Sequence, residues 1–243
     1  MRNFLALTRR ELGVYFVSPM AYIILTALLG LSGVVFVGTM KEFAENQLPV
    51  NYQPTIYWLM IMVVLTSALV TMRLIAEEKS KGTLEIILTA PISDAAFVLA
   101  KFSASMVLLI YLLFPTVGYL IIISRYGPVD FGAVACGYFG LLMVGAVLYS
   151  IGLFISSLCS SQITAGVITL MVAVLLVGAH ILMGASLPET SILRPILAYV
   201  DLSANFGDFQ KGVIDRTRLV YLLSVVAGFL FLTTRVVESR RWR

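Results

Sequence analysis

Charge is scarce in this sequence. Asp, Glu, Lys and Arg make up 12% of its 243 residues, against roughly 25% in an average soluble domain. With 60% of the residues hydrophobic and a mean hydropathy of +0.98, a water-soluble core cannot hide the apolar surface, and a soluble fold is excluded. Histidine is scarcer still: His180 stands alone, which rules out an HExxH zinc site and argues against a His-rich metal or haem site. Neither G-x-x-x-x-G-K-[ST] nor G-x-S-x-G occurs, so the chain lacks the usual loop that cradles ATP phosphates and the serine elbow of a hydrolase. The net charge of +4 comes without a basic patch interleaved with exposed aromatics, so nucleic acid is not an expected partner. Cys136 and Cys159 fall in one apolar helical run, about 35 Å apart at 1.5 Å per residue, too far for a disulfide.

What is present is a series of long apolar runs separated by short charged islands. A bilayer core of about 30 Å takes about 20 helical residues, and helices satisfy every backbone polar group internally. The runs predict an all-α integral membrane protein, one domain over 1–243, with six transmembrane helices. The expected spans are Pro19 to Met40, Pro54 to Leu74, Phe97 to Ser124, Phe131 to Leu158, Ile163 to Met183 and Leu219 to Thr234. Arg218 and Arg235 flank the last and can snorkel. The first run starts only after Arg9, Arg10 and Glu11, with no small-residue cleavage site behind it, so a cleaved signal peptide is not expected. Eleven of the 17 Lys and Arg residues fall on the side of the two termini, which places both termini in the cytoplasm.

Before the first span, Phe4, Leu5, Leu12, Tyr15 and Phe16 share one arc of a helical wheel and Arg2, Arg9 and Arg10 the other. The pattern predicts an interfacial helix over 1–16. Leu7 and Glu11 interrupt it, and a simple positive flank orienting the first span is the alternative. Spans four and five carry small residues at four-residue spacing, Gly132, Cys136 and Gly140, then Ser156, Ser160 and Thr164. Such ladders pack helices within a subunit or mark a dimer seam or a substrate path. His180 inside the fifth run is a functional candidate by default, or a neutral group bonded to a carbonyl. Pro115 predicts a kink in span three. Tyr111, Tyr119, Tyr138 and Tyr149 offer hydroxyls to a cavity or anchor the interface. The outer stretch 187–217 scatters apolar residues such as Phe206 and Phe209 through a loop, which predicts a re-entrant or amphipathic hairpin.

The most informative island runs from Arg73 to Ser93. Gly82 breaks the preceding helix, Thr83 can cap a new short one with Glu85 in its first turn, Pro91 stops it, and Ser93 with Asp94 can cap span three. Leu84, Ile87 and Leu88 share a face. The result is a stubby amphipathic helix tied at both ends to spans two and three, shaped to act as a lever; an ordinary solvated loop is the plainer alternative.

The run Glu77-Glu78-x-x-x-Gly82-Thr83-x-Glu85, followed by Leu88 and Pro91-Ile92-Ser93, resembles the signature of type-two ABC exporter permeases, and the likeness extends over nearly the whole chain. Phe209-Gln-Lys-Gly212-Val-Ile-Asp215 leading into Tyr221 is similar to the gliding-motility-type permeases, a narrower match that does not establish the namesake function. The resemblance implies that residues 77–92 form the coupling helix, with Glu77, Glu78, Lys81, Gly82, Thr83, Leu84, Glu85, Leu88 and Pro91 seated in a groove of a separate ATPase subunit. It also implies that the interfacial helix, with Arg9, Arg10 and Glu11, touches that ATPase. ATP and Mg would be bound by the ATPase, with no cofactor or catalytic residue in this chain. A second permease copy, most simply an identical one, would enclose the translocation path, in a bacterial inner membrane. A different class of function fits the same features: motion passed to an extracellular or periplasmic partner without solute transport, with Phe209, Gly212 and Asp215 in the contacting hairpin. An ion-coupled secondary transporter is a third option, disfavoured because few acids lie within the spans.

Overall fold

The structure, a computed structural model, describes residues 2–46, 51–83, 93–179 and 199–241. All the regular structure among them is helical: α1 (Arg2–Val17), α2 (Pro19–Glu45), α3 (Gln53–Thr71), α4 (Ala76–Ser80), α5 (Asp94–Leu113), α6 (Gly118–Ile123), α7 (Phe131–Leu158), α8 (Gln162–Val177), α9 (Leu202–Gln210) and α10 (Arg216–Arg241). Short polar residues start these helices where the hydrophobic runs begin. Ser18 caps α2 ahead of Pro19, Asp130 caps α7, Ser93 caps α5 and Asp201 caps α9, each side-chain oxygen accepting an otherwise orphaned backbone N–H.

Five helical stretches among the described residues are long and apolar enough to cross a membrane: Pro19–Glu45, Gln53–Ser80, Asp94–Ile123, Phe131–Leu158 and Arg216–Ser239. The expected fifth span appears only as α8, whose 16 residues reach about 24 Å and fall short of a bilayer core. Its expected end, 180–183, with His180, lies outside the described residues, as does 187–198 of the outer hairpin. The fourth span has the bounds that its sequence predicts. The first continues past Met40 to Glu45, because Lys41, Glu42 and Glu45 prolong the helix without being apolar.

Helix α7 is the hub, packed against α3, α5, α8, α9 and α10. Its apolar window is 78% buried within the molecule, whereas that of α10 is 17% buried; α10 therefore leaves most of its surface uncovered by the rest of the chain. The small-residue ladder on α7 divides by position. Gly140 permits the close approach of α9: a Cβ there would stand 2.6 Å from Phe209 Cβ and 3.1 Å from Phe206 Cε2. Ser156 serves a polar contact described below, while Ser160 and Thr164 are exposed. Gly140→Val is accordingly expected to lift α9 at a cost of about 1–3 kcal/mol, read as a fall of several degrees in the Tm of the detergent-solubilised protein. An unchanged Tm would mean that α9 is not seated there.

The kink expected at Pro115 takes the form of a 3-10 turn, Phe114–Val117, between α5 and α6. Hydroxyls clasp it. Tyr138 lies 2.9 Å from Thr116 Oγ1 and 3.0 Å from the Tyr52 hydroxyl, and Thr116 donates to Leu113 O at 2.6 Å. Tyr119 donates to Leu29 O at 3.1 Å and lies 3.1 Å from Ser32 Oγ. Tyr111 instead packs edge-on against Phe16 of α1, and the Tyr149 ring is fully buried.

Candidate functional site: the α4 joint

At the end of the bundle that carries α1, four elements converge on the five-residue helix α4. The chain leaves α3 at Thr71 and turns through Met72–Ile75. This elbow exposes backbone N–H groups that no helix satisfies. Ser156 near the end of α7 supplies the acceptor: its Oγ takes bonds from Ile75 N at 3.1 Å and Ala76 N at 3.0 Å. Lys79 reaches the same end of α7, donating to Ser157 O and, at 3.2 Å, to Cys159 O. A cation at a helix C-terminus meets both the orphaned carbonyls and the negative end of the helix dipole.

The two acids expected to meet a partner are turned into the scaffold. Glu77 bonds Arg73 Nε at 2.8 Å and Lys81 Nζ at 2.6 Å, and Arg73 also donates to Ser18 Oγ at 3.4 Å at the start of α2. Glu78 accepts from Lys101 of α5 at 2.8 Å, and Lys101 donates in turn to Glu11 of α1 at 3.2 Å. The Lys101 side chain is 2% exposed, so its charge depends on these two carboxylates. Its ammonium also lies 5.1 Å from the centre of the Phe97 ring.

Helix α1 packs along α5, with Glu11 meeting Lys101 and Phe16 meeting Tyr111, and Phe4, Leu7, Thr8, Glu11, Leu12, Tyr15 and Phe16 form its less exposed face. Leu5, expected on the packed arc, is 64% exposed, and Leu7, which interrupted that arc, is 6% exposed. The stripe is rotated because Glu11 faces Lys101, a preference that no wheel of α1 alone contains. Arg9 and Arg10 remain exposed.

Beyond α4, Gly82 adopts φ +67°, in the left-handed region that glycine tolerates and other residues resist, and thereby ends the helix as its sequence predicts. Thr83 donates to Glu78 O at 3.3 Å, and the short helix it is expected to cap falls outside the described residues. Leu84, Glu85, Leu88 and Pro91 lie outside the described residues. The chain returns at Ser93, whose Oγ accepts from Ala96 N at 3.3 Å. Lys81, Gly82, Thr83 and Ser93 are exposed. The arrangement ties one short helix, directly or through Lys101 and Arg73, to α1, α2, α5 and α7.

Lys101 counts among the topogenic charges on the side of the termini, and its role here was not expected from that count. The available signal was its position, a lone cation two turns into an apolar helix, where an ionisable group needs a partner. At the opposite end, Phe209 is buried under Gly140, and Gly212 turns at φ +82° with its Cα side against Ala133. Asp215 Oδ1 accepts from Thr217 N at 2.9 Å and starts α10, while Arg218 ties back to Asp208 at 3.0 Å. All three residues of the outer motif therefore have a structural task. Among the described residues no group of His, Cys, Asp and Glu is arranged to hold a metal.

Residues 26–237 match the ABC-2 family transporter protein family, a match that leaves α1 and Glu11 outside it. No curated protein matches the chain. The match covers most of the sequence, and the chain belongs to this family: it is a multi-pass membrane permease subunit of an ABC transporter, the component that in general works with an ABC ATPase.

Proposed function

We propose that the chain is the permease of an ATP-driven exporter, and that residues 77–92 are the coupling helix through which a separate ATPase, carrying ATP and Mg, moves the membrane helices. The observation that carries this reading is the bracing of α4. A push delivered to an exposed segment does work on the bundle only if its base cannot slip, and α4 is bonded to α7 through Ser156 and Lys79, to α5 and α1 through Lys101, and to α2 through Arg73. In this reading Glu77 and Glu78 act from behind the ATPase contact, as parts of the brace. The contact itself falls to Gly82, Thr83, Leu84, Glu85, Leu88 and Pro91, with the exposed Arg9 and Arg10 of α1 beside it.

Two permeases, most simply two copies of this chain, enclose the path, and ATP-driven closure of the ATPases switches its access. The excess of Lys and Arg on the α1 side puts that side, and both termini, in the cytoplasm of a bacterial cell. The likeness of the Phe209 to Asp215 motif to the gliding-motility-type permeases supports that narrower subfamily, in which an accessory protein would meet the outer surface. To test the coupling, the permease is co-expressed with its candidate ATPase and Glu85→Lys is introduced. Association is expected to weaken at least ten-fold with the permease still folded. Unchanged association together with unchanged membrane-stimulated ATP hydrolysis would overturn the assignment.

A further inference from the structure

At the end of the bundle away from α1, helices α2 and α6 diverge and leave a groove of about 790 Å³ between them. Its walls are Phe36, Val37 and Met40 of α2 and Tyr119 and Ile122 of α6. Both helices belong to stretches long and apolar enough to cross a membrane, and the mainly apolar lining of the groove suits acyl chains. The lining runs from Gly33 to Ala44, about 17 Å along the helix axis, close to half of a hydrocarbon core of about 30 Å. The groove is therefore one leaflet deep.

Its two ends differ chemically. The deep end is closed by the Phe36 and Tyr119 rings, stacked with centroids 4.8 Å apart, and the Tyr119 hydroxyl there is already occupied by Leu29 O and Ser32. A buried apolar floor with its polar group satisfied suits a chain terminus. The shallow end carries Lys41 and the 73% exposed Tyr126, a cation and an amphipathic ring at headgroup level. Among the charged residues in the last turns of α2, Lys41 lines the groove whereas Glu42 and Glu45 do not. The charge offered to an occupant is thus positive.

We propose that this groove binds a phospholipid of the surrounding bilayer, one acyl chain lying along Val37 and Ile122 and an anionic phosphate headgroup held at Lys41. A uniform lipid-facing helix surface would select no headgroup. A one-leaflet slot with a cation at its mouth selects anionic over zwitterionic lipid, and one lysine at an anionic surface contributes roughly a five-fold preference.

The test uses the full chain in mild detergent with equimolar phosphatidylglycerol and phosphatidylcholine, and counts lipids retained per protein by native mass spectrometry. Wild type is expected to retain phosphatidylglycerol about five-fold over phosphatidylcholine. Lys41→Gln, at an exposed position, is expected to bring the ratio near one, and Val37→Trp to abolish retention of both lipids while the protein still elutes as a folded species. A photoreactive residue at position 37 is expected to cross-link to lipid. Retention that ignores Lys41→Gln, or cross-linking from position 37 to a second copy of the chain instead of lipid, would overturn the proposal.

Discussion

Replacing Lys101 with methionine is expected to lower the Tm of the solubilised permease by on the order of 10 °C and to free α1 from the bundle. The side chain is almost fully buried and shared between Glu11 on α1 and Glu78 on α4, at 3.2 and 2.8 Å. Without it the carboxylates of Glu11 on α1 and Glu78 on α4 are left facing each other with most of their solvation lost, their side chains 12% and 15% exposed. Breaking a buried ion pair from one side costs about 3–5 kcal/mol, because the remaining charge is stranded. The apolar contacts of Leu7, Tyr15 and Phe16 oppose release, but they surround the stranded pair and must open to admit water to it. Limited proteolysis should therefore cut near the Val17–Ser18 junction in the variant under conditions that spare wild type. The combination Lys101→Met, Glu11→Gln and Glu78→Gln is expected to recover most of the loss, since neutral groups of similar volume replace a buried charge network at little cost. A single Lys101→Met variant melting within about 1 °C of wild type would show that the cluster is hydrated and contributes nothing.

The parts of this molecule that were legible in its sequence are those decided locally. Helix α7 begins and ends where predicted because Asp130 caps its first turn and Cys159-Ser-Ser interrupts its last. Gly82 ends α4 because only a glycine takes a positive φ there without strain. Pro115 marks the helix interruption because a proline cannot donate to the preceding turn. The parts that were not legible depend on partners far away in the chain. Glu77 and Glu78 read as an exposed acidic pair, and their inward orientation rests on Arg73 four residues earlier and on Lys101 more than twenty residues later. The rotated face of α1 rests on the same lysine, ninety residues from Glu11.

These distant partners give the joint a physical logic. Membrane helices gain little by burying apolar surface against each other, since lipid is equally apolar, and they rely on close packing and polar contacts for specific association. In this permease the close packing centres on α7, and the ion pairs and polar bonds around α4 tie α4 to it. Under the proposed coupling, a displacement passed to α4 would meet its polar contacts first and then reach the closely packed hub, α7, which touches α3, α5, α8, α9 and α10. Motion can therefore spread through one helix, provided that the bond between α4 and α7 holds.

That bond is tested by Ser156→Ala. The Ser156 hydroxyl oxygen is the acceptor for two buried backbone donors, Ile75 N and Ala76 N, and the residue itself is fully buried. Alanine fills nearly the same space but accepts nothing, so both N–H groups remain desolvated and unpaired at about 1–3 kcal/mol each. The loss is local: α4 has only five residues and cannot refold its first turn to recover the bonds, whereas the α7 backbone is satisfied within its own helix. Hydrogen exchange at residues 75 and 76 is expected to accelerate at least ten-fold in Ser156→Ala, with protection along Val144 to Leu153 unchanged. Ser156→Cys, whose sulfur is a weak acceptor, should fall between. If α4 is the base of the lever, the same variant will hydrolyse ATP with its ATPase bound yet move less substrate per ATP. Exchange at residues 75 and 76 equal to that of wild type would show that α4 is held by its ion pairs alone and that α7 does not receive its motion through Ser156.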